Sequence, residues 1–248
     1  MGKFFFKPEE RSGQFVIFTG SRAHHLTNVL RFKKGQEQIL CDGNDTDYLS
    51  VMDSAIHKPY AITFKILNSS PSKTEPSYPI TLFQGLPKGD KMDWIIEKCI
   101  EAGVYRIVPV LTNRSVVKIK DALKMKDRYM RIAESAASQS MRGVIPDISA
   151  PLHFADILKD MNSDLCLVAF EKERSKSINS ALYNKAPCPI NLWIGPEGGF
   201  EDYEVKALTD IGATTIGLGP RILRSETAGL YALAQISCMW SGVIHDIF

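Results

Sequence analysis

Ile194-Gly195-Pro196-Glu197-Gly198-Gly199-Phe200 follows an apolar run, Ile190–Ile194, and leads into an amphipathic stretch from Glu201 to Ile211. The order is strand, loop, helix. Three glycines and a proline within five positions force a specific backbone path, and glycine lets main-chain amides approach a ligand closely. The same order recurs on both sides of this loop. Strands are expected at Ile80–Gln84, Arg106–Val110, Leu165–Phe170 and Thr214–Leu218. Helices are expected at Asp90–Ala102, from Asp121 to about Met141, and from about Ser225 to Ser241. Met92, Ile95, Ile96, Cys99 and Ile100 give the first of these a clear apolar face, and Gly103 stands where its C′ residue should be. Such alternation predicts an α/β fold, with a mostly parallel sheet and helices on both faces.

Upstream the pattern changes. Residues 68–79 hold three prolines and four serines without apolar periodicity, which reads as a linker or an extended connection. Before them lie short strand-like stretches at Gln14–Phe18, Gln38–Cys41, Tyr48–Met52 and Ala61–Ile66, with one helix-like piece from His24 to Arg31. Short strands separated by frequent turns suggest a small β-barrel. The expected organisation is therefore a small domain at 1–72, a linker at 73–79, and an α/β domain at 80–248.

Length and composition (248 residues, 44 % hydrophobic, 23 % charged) are those of an ordinary globular protein and exclude collagen, coiled coil and disorder. The formal charge of +2 conceals a division, +6 over residues 1–150 and −4 over 151–248. A polyanion would prefer the first part. No apolar run is long enough for a membrane span, and the N-terminus lacks a secretory h-region, so a cytoplasmic protein is expected. Five scattered cysteines, never as C-x-x-C, read as reduced thiols and not as a zinc site. The five histidines, His24, His25, His57, His153 and His245, lack metal-ligand spacing, so no metal is expected. P-loop, G-x-G-x-x-G, G-x-S-x-G and H-E-x-x-H patterns are all missing.

Two loops at strand ends could carry chemistry. The first is Gly195–Phe200, which could equally be a tight strand-to-helix turn. Glu201, Asp202 and Glu204 in the following turn suit a helix dipole but would repel a phosphate. The second is Leu218-Gly219-Pro220-Arg221-Ile222-Leu223-Arg224-Ser225-Glu226-Thr227-Ala228, with Ser225 expected as N-cap. It reads either as a solvated basic loop before a capped helix or as a binding loop. The helix that follows is apolar around much of its circumference, as expected of a helix buried by neighbours or by another subunit. Arg128, Arg131, Ser135, Ser138, Gln139 and Arg142 form a stripe on the long helix, either a solvated face or a phosphate-contacting one. Arg22, Arg31, Lys33 and Lys34 in the small domain would support the second reading.

The pair GPEGGF and LGPRILRSETA, about twenty residues apart, resembles the knotted SPOUT class of methyltransferases. More narrowly it resembles the RsmE family of 16S ribosomal RNA uracil-N3 methyltransferases. The likeness extends to HHLTNVLRFKKGQEQILCDG, KGDKMDWIIEKCIEAGVYRIVPVLTNRSV and RIAESAASQSMRGVIPDI, and so to almost the whole chain. The resemblance implies a PUA-like RNA-binding domain, then an α/β domain with a deep trefoil knot, working as a homodimer on 16S rRNA or the small ribosomal subunit. It implies S-adenosyl-L-methionine held by three loops. Here those are Leu167 and Phe170 with Glu171; Ile194, Gly195, Pro196, Glu197, Gly198 and Gly199; and Leu218, Gly219, Ile222, Leu223, Ser225 and Thr227.

Within that implied reaction, uracil N3 must lose its proton, which spreads negative charge over O2 and O4. A fixed arginine there lowers the barrier, so Arg224 is the first catalytic candidate. Arg221 is the second, as a substrate contact, and Glu197 could face the sulfonium or orient a neighbour. Arg22, Arg31, Lys33, Arg131, Gln139 and Arg142 are expected to face RNA. Two alternatives stand beside this: a related knotted methyltransferase acting on a ribose 2′-hydroxyl or on tRNA, and a non-catalytic RNA-binding assembly factor.

Overall fold

The computed structural model describes residues 2–117, 119, 121–159 and 165–240. Ser241 and His245 lie outside them. The chain forms two compact units. One comprises the residues up to Glu75 together with Ala137–Ile145, and the other Pro76–Ala136 with the residues from Pro146 onward.

The first unit contains β1 (Phe4–Phe5), β2 (Arg11–Ser12), β3 (Phe15–Thr19), α1 (Gly20–His24), β4 (Glu37–Cys41), β5 (Thr46–His57) and β6 (Tyr60–Pro71). A wider helical turn, His25–Val29, continues α1. The six strands form one sheet in the order β1-β4-β5-β6-β3-β2, antiparallel except for β1 against β4. Its core is aromatic: Phe18 and Phe32 both meet Phe64 edge-on, at 6.0 and 5.5 Å, around Val16, Leu40 and Ile62. Strand β6 is longer than the alternating pattern suggested. Residues 68–71, which read as linker, pair with Thr46–Leu49 of β5. Their polar side chains are exposed, so the strand carries no apolar alternation there.

The second unit contains β7 (Ile80–Gly85), α2 (Lys91–Glu101), β8 (Arg106–Leu111), α3 (Ala122–Gln139), β9 (Asp147–Ile148), β10 (Leu152–His153), α4 (Phe154–Lys159), β11 (Leu165–Ala169), α5 (Ile178–Leu182), β12 (Ile190–Ile194), α6 (Asp202–Asp210), β13 (Thr214–Ile216) and α7 (Ser225–Trp240). The sheet order is β10-β8-β7-β12-β11-β13, with β9 also on β8, and every pairing is parallel. Phe83 stacks on Trp193 at 4.3 Å, and on that face Phe154, Phe200, Val205 and Leu208 complete a core under α4 and α6. The opposite face, at Leu82, receives α7 at Gly229, which lies beside Leu82 and Cys99 of α2. The α/β expectation is met, and α2 buries all five of its periodic apolar residues.

Two differences concern charged residues expected to meet RNA. Arg142 is buried, its Nε donating to Glu75 Oε1 at 3.2 Å and its Nη2 completing an ion pair with Oε2 of the same carboxylate. Helix α3 ends at Gln139, and Met141, at φ 61°, turns the chain so that Arg142 leaves the exposed stripe. Gly143 donates its N–H to Glu75 as well, and its carbonyl accepts from Asp45 N at 3.0 Å. Arg22 is also engaged within its unit. It pairs with Glu10 at 2.9 Å, donates to the Phe5 carbonyl and lies over the Phe18 ring at 4.4 Å. Arg31, Lys33, Arg131 and Gln139 remain exposed.

Because Arg142 neutralises a largely buried carboxylate, Arg142→Ala should cost roughly 3 kcal/mol, read as a fall in the urea midpoint. A residue reserved for RNA contact would leave that midpoint unchanged.

Candidate active site

Strands β11, β12 and β13 are neighbours in one parallel sheet, so the loops leaving their carboxyl ends converge. They enclose a cavity of about 490 Å³, a volume suited to a small organic ligand. Ala169, Phe170 and Glu171 line it from β11, Ile194–Gly199 from β12, and Gly217, Leu218, Gly219 and Arg221–Glu226 from the last loop. Three of its walls coincide with the three expected loops. Two expected residues do not line it. Leu167 is fully buried in mid-strand, paired on both sides, and Thr227 lies one turn into α7.

The glycine loop has little freedom. A Cβ on Gly195 would stand 3.0 Å from Gly199, and Gly199 itself adopts φ 70° with the Glu171 carboxylate 3.2 Å from where its Cβ would be. Arg114 holds the far side of the loop. Its Nε and one terminal nitrogen each donate to Glu201 at 2.9 Å, and the other donates to the Gly198 carbonyl at 2.6 Å. Those hydrogen bonds hold the Glu201 carboxyl below its usual range and the Arg114 guanidinium above its own. Glu201 is the N-cap of α6, and the Glu204 carboxylate accepts from Glu201 N at 2.9 Å, a reciprocal capping box. The acids after the loop thus serve the helix end.

Ser225 departs from its expected role. Helix α7 begins at Ser225, and the Arg224 carbonyl accepts the N–H of Ala228 at 2.9 Å, so Arg224 occupies the cap position. The Ser225 hydroxyl donates instead to the Gly195 carbonyl at 2.6 Å and accepts from Gln84 Nε2 at 3.0 Å.

Charge in the cavity is balanced among its lining residues, with Glu171, Glu173, Glu197 and Glu226 against Lys91, Arg174, Arg221 and Arg224. Arg224 is 83 % exposed, and Ile222 is 71 % exposed at the mouth. Glu197 Oε1 accepts from Lys91 Nζ at 3.0 Å and from Lys88 N at 3.1 Å. Burial works to raise its carboxyl, but the Lys91 hydrogen bond and the backbone N–H groups outweigh it, and the net shift is downward. Lys91, Glu173 and Arg174 were not among the expected site residues. Lys91 is the first residue of α2, the helix after β7, and β7 adjoins β12; that adjacency is a fact of strand order. Among the described residues no group of three or more His, Cys, Asp or Glu is placed to hold a metal ion, and no helix is long and apolar enough to cross a membrane.

The RNA methyltransferase domain model matches residues 73–237, and the RNA methyltransferase PUA domain model matches residues 18–62. Ribosomal RNA small subunit methyltransferase E of Bacillus subtilis is 38 % identical over 236 residues, covering 92 % of this chain and 91 % of that protein. The chain belongs to the ribosomal RNA small subunit methyltransferase E family. A crystal structure of that family's member from Neisseria gonorrhoeae, bound to S-adenosyl methionine, superposes with a TM-score of 0.86 at 30 % identity, covering 97 % of this chain and 98 % of that one. A putative methyltransferase from Legionella pneumophila, in complex with the same cofactor, gives 0.85 at 28 % identity, over 96 % and 97 % of the two chains. The resemblance drawn from the two loops is borne out.

Glu173 anchors the cavity's third side. It accepts from Ser175 N, Ser175 Oγ, Lys176 N and Thr215 Oγ1, all within 3.1 Å. These donors, the Ser175 hydroxyl foremost, lower its carboxyl from 4.5 to about 2. Its contribution should be complete above the unfolded value and lost as pH falls through the folded one. The urea-midpoint gap between the parent chain and Glu173→Gln should be constant above pH 5. It should close between about pH 4.5 and 2.

Proposed function

We propose that this chain transfers the methyl group of S-adenosyl-L-methionine to N3 of a uridine in 16S ribosomal RNA. The observation that carries the reading is the convergence of all three expected loops on one cavity, in a chain of this family. The residues fit such a cofactor. The apolar side chains of Phe170, Ile194, Leu218, Ile222 and Leu223 suit an adenine. Gly195 and Gly198 line the cavity with main chain, and the carboxylates of Glu171 and Glu197 suit a cationic centre. When bound, the cofactor supplies an electrophilic methyl group on a sulfonium.

The protein's own groups do the rest. Arg224, exposed at the mouth, stabilises the negative charge that uracil O2 and O4 acquire as N3 loses its proton, with Arg221 beside it. Glu197, held ionised by Lys91 and the Lys88 amide, acts as a fixed negative charge and not as the proton acceptor. RNA is met by the exposed Arg31, Lys33, Arg131 and Gln139. The working form is a homodimer, supported by α7, whose Leu230, Tyr231 and Ala234 stay partly or wholly exposed along one stripe. A trefoil knot is part of the proposal, supported by the seating of the α7 start against the β12 loop through Ser225. The domain division at 73–79 and a cytoplasmic location belong to the same reading.

The test is to incubate the protein and labelled cofactor with small subunits, free 16S rRNA and tRNA, then identify the nucleoside by mass spectrometry. 3-Methyluridine in 16S rRNA is expected; a 2′-O-methyl product or labelling of tRNA alone would overturn the assignment. Calorimetry detecting no cofactor binding would favour the assembly-factor alternative. Arg224→Ala should lower kcat by about 10²–10³-fold while cofactor affinity stays within about threefold. A parallel loss of affinity would make Arg224 a cofactor ligand.

A further inference from the structure

Two carboxylates from separate loops converge on one ammonium group. Lys91 Nζ lies 3.0 Å from Glu197 Oε1 and 3.5 Å from Glu226 Oε2. The other oxygen of Glu226 faces Arg224, but only at 3.9 Å, and no hydrogen bond joins them. Glu226 is 17 % exposed and Arg224 83 %. The arginine proposed to act on substrate therefore hangs loosely beside a largely buried acid.

That looseness needs a cause. An arginine already 3.9 Å from a largely buried carboxylate with no other cation beside it could move closer into a short, charge-assisted pair. Such a pair would occupy the donors that must meet the uracil oxygens. Lys91 supplies the competing cation. It is set from the other side by α2, and its position is fixed by Glu197, which is itself pinned by the Lys88 amide at 3.1 Å.

We propose that Lys91 is a positioning residue for the reaction: by neutralising Glu226 it keeps the Arg224 guanidinium free for substrate. This rests on the role given to Arg224 above. The hydrogen bond donated to Glu197 also raises the Lys91 ammonium above its ordinary range, so it stays charged throughout the neutral and mildly alkaline region. On this proposal Lys91 meets neither reacting atom. It acts through Glu226, and removing Glu226's charge should make Lys91 dispensable.

The experiment compares the full-length parent with K91M, E226Q and K91M/E226Q. Single-turnover methyl transfer to small subunits should fall about 10–100-fold in K91M, with cofactor affinity by calorimetry within about threefold of the parent. The double variant should recover to within about fivefold of E226Q alone. A staple that merely held the loops would instead lower affinity and melting temperature, with no rescue. Phenylglyoxal modification of Arg224, followed by peptide mass spectrometry, gives a readout independent of substrate. It should slow severalfold in K91M and return in the double variant. Parent-like transfer and modification by K91M would overturn the proposal, as would a double variant no better than K91M. If the parent methylates no uridine while the modification pattern holds, the positioning stands and the substrate assignment falls.

Discussion

A single buried hydroxyl joins three stretches of chain that are far apart in sequence. Ser225 Oγ donates to the Gly195 carbonyl and accepts from Gln84 Nε2, which ties the end of β7, the loop after β12 and the start of α7 together. Gln84 is fully buried and Ser225 nearly so. Leaving either partner unsatisfied would cost about 1–3 kcal/mol, more than the bond itself contributes net. The packing around this point allows no slack. A Cβ on Gly85 would lie 2.4 Å from Pro196. Arg224 and Glu226 flank the fixed serine, so their backbone positions at the cavity mouth follow from it.

Much of this was legible in the sequence because it is local. Helix α2 shows its buried face at i, i+3, i+4, i+7 and i+8, and Gly103 takes the positive φ its place after the helix suggests. The two loops were legible for a similar reason: glycine and proline restrict the backbone wherever they stand. Pairing partners were not legible. The Asn-Ser-Ser-Pro run from 68 to 71 has the composition of a linker, and only its register with Thr46–Leu49 makes it strand. Nor could helical phase locate Arg142. Projecting the α3 stripe onward puts it on the solvent face, whereas the helix stops three residues short and the left-handed Met141 redirects it to Glu75. Lys91 escaped notice because its importance depends on β7 lying next to β12, a long-range fact.

The charge asymmetry between the two parts of the chain also takes on a more exact meaning. Part of the acidity of residues 151–248 is gathered at one site. Four of its carboxylates, Glu171, Glu173, Glu197 and Glu226, line the cavity, and two more, Glu201 and Glu204, cap α6. This arrangement selects against phosphate. A helix N-terminus binds anions when its first amides are unpaired, but the Glu204 carboxylate already takes the amide at the cap of α6, and Arg114 is spent on Glu201 and Gly198. The glycine loop is thus left as a neutral cradle between fixed acids, a setting that favours a ligand with a cationic centre. The four carboxylates of the cavity offer partners to an arginine near it. Arg221 and Arg224 escape by standing on the outer loop. There a guanidinium shares the site with acids and still presents its donors to an incoming anionic base.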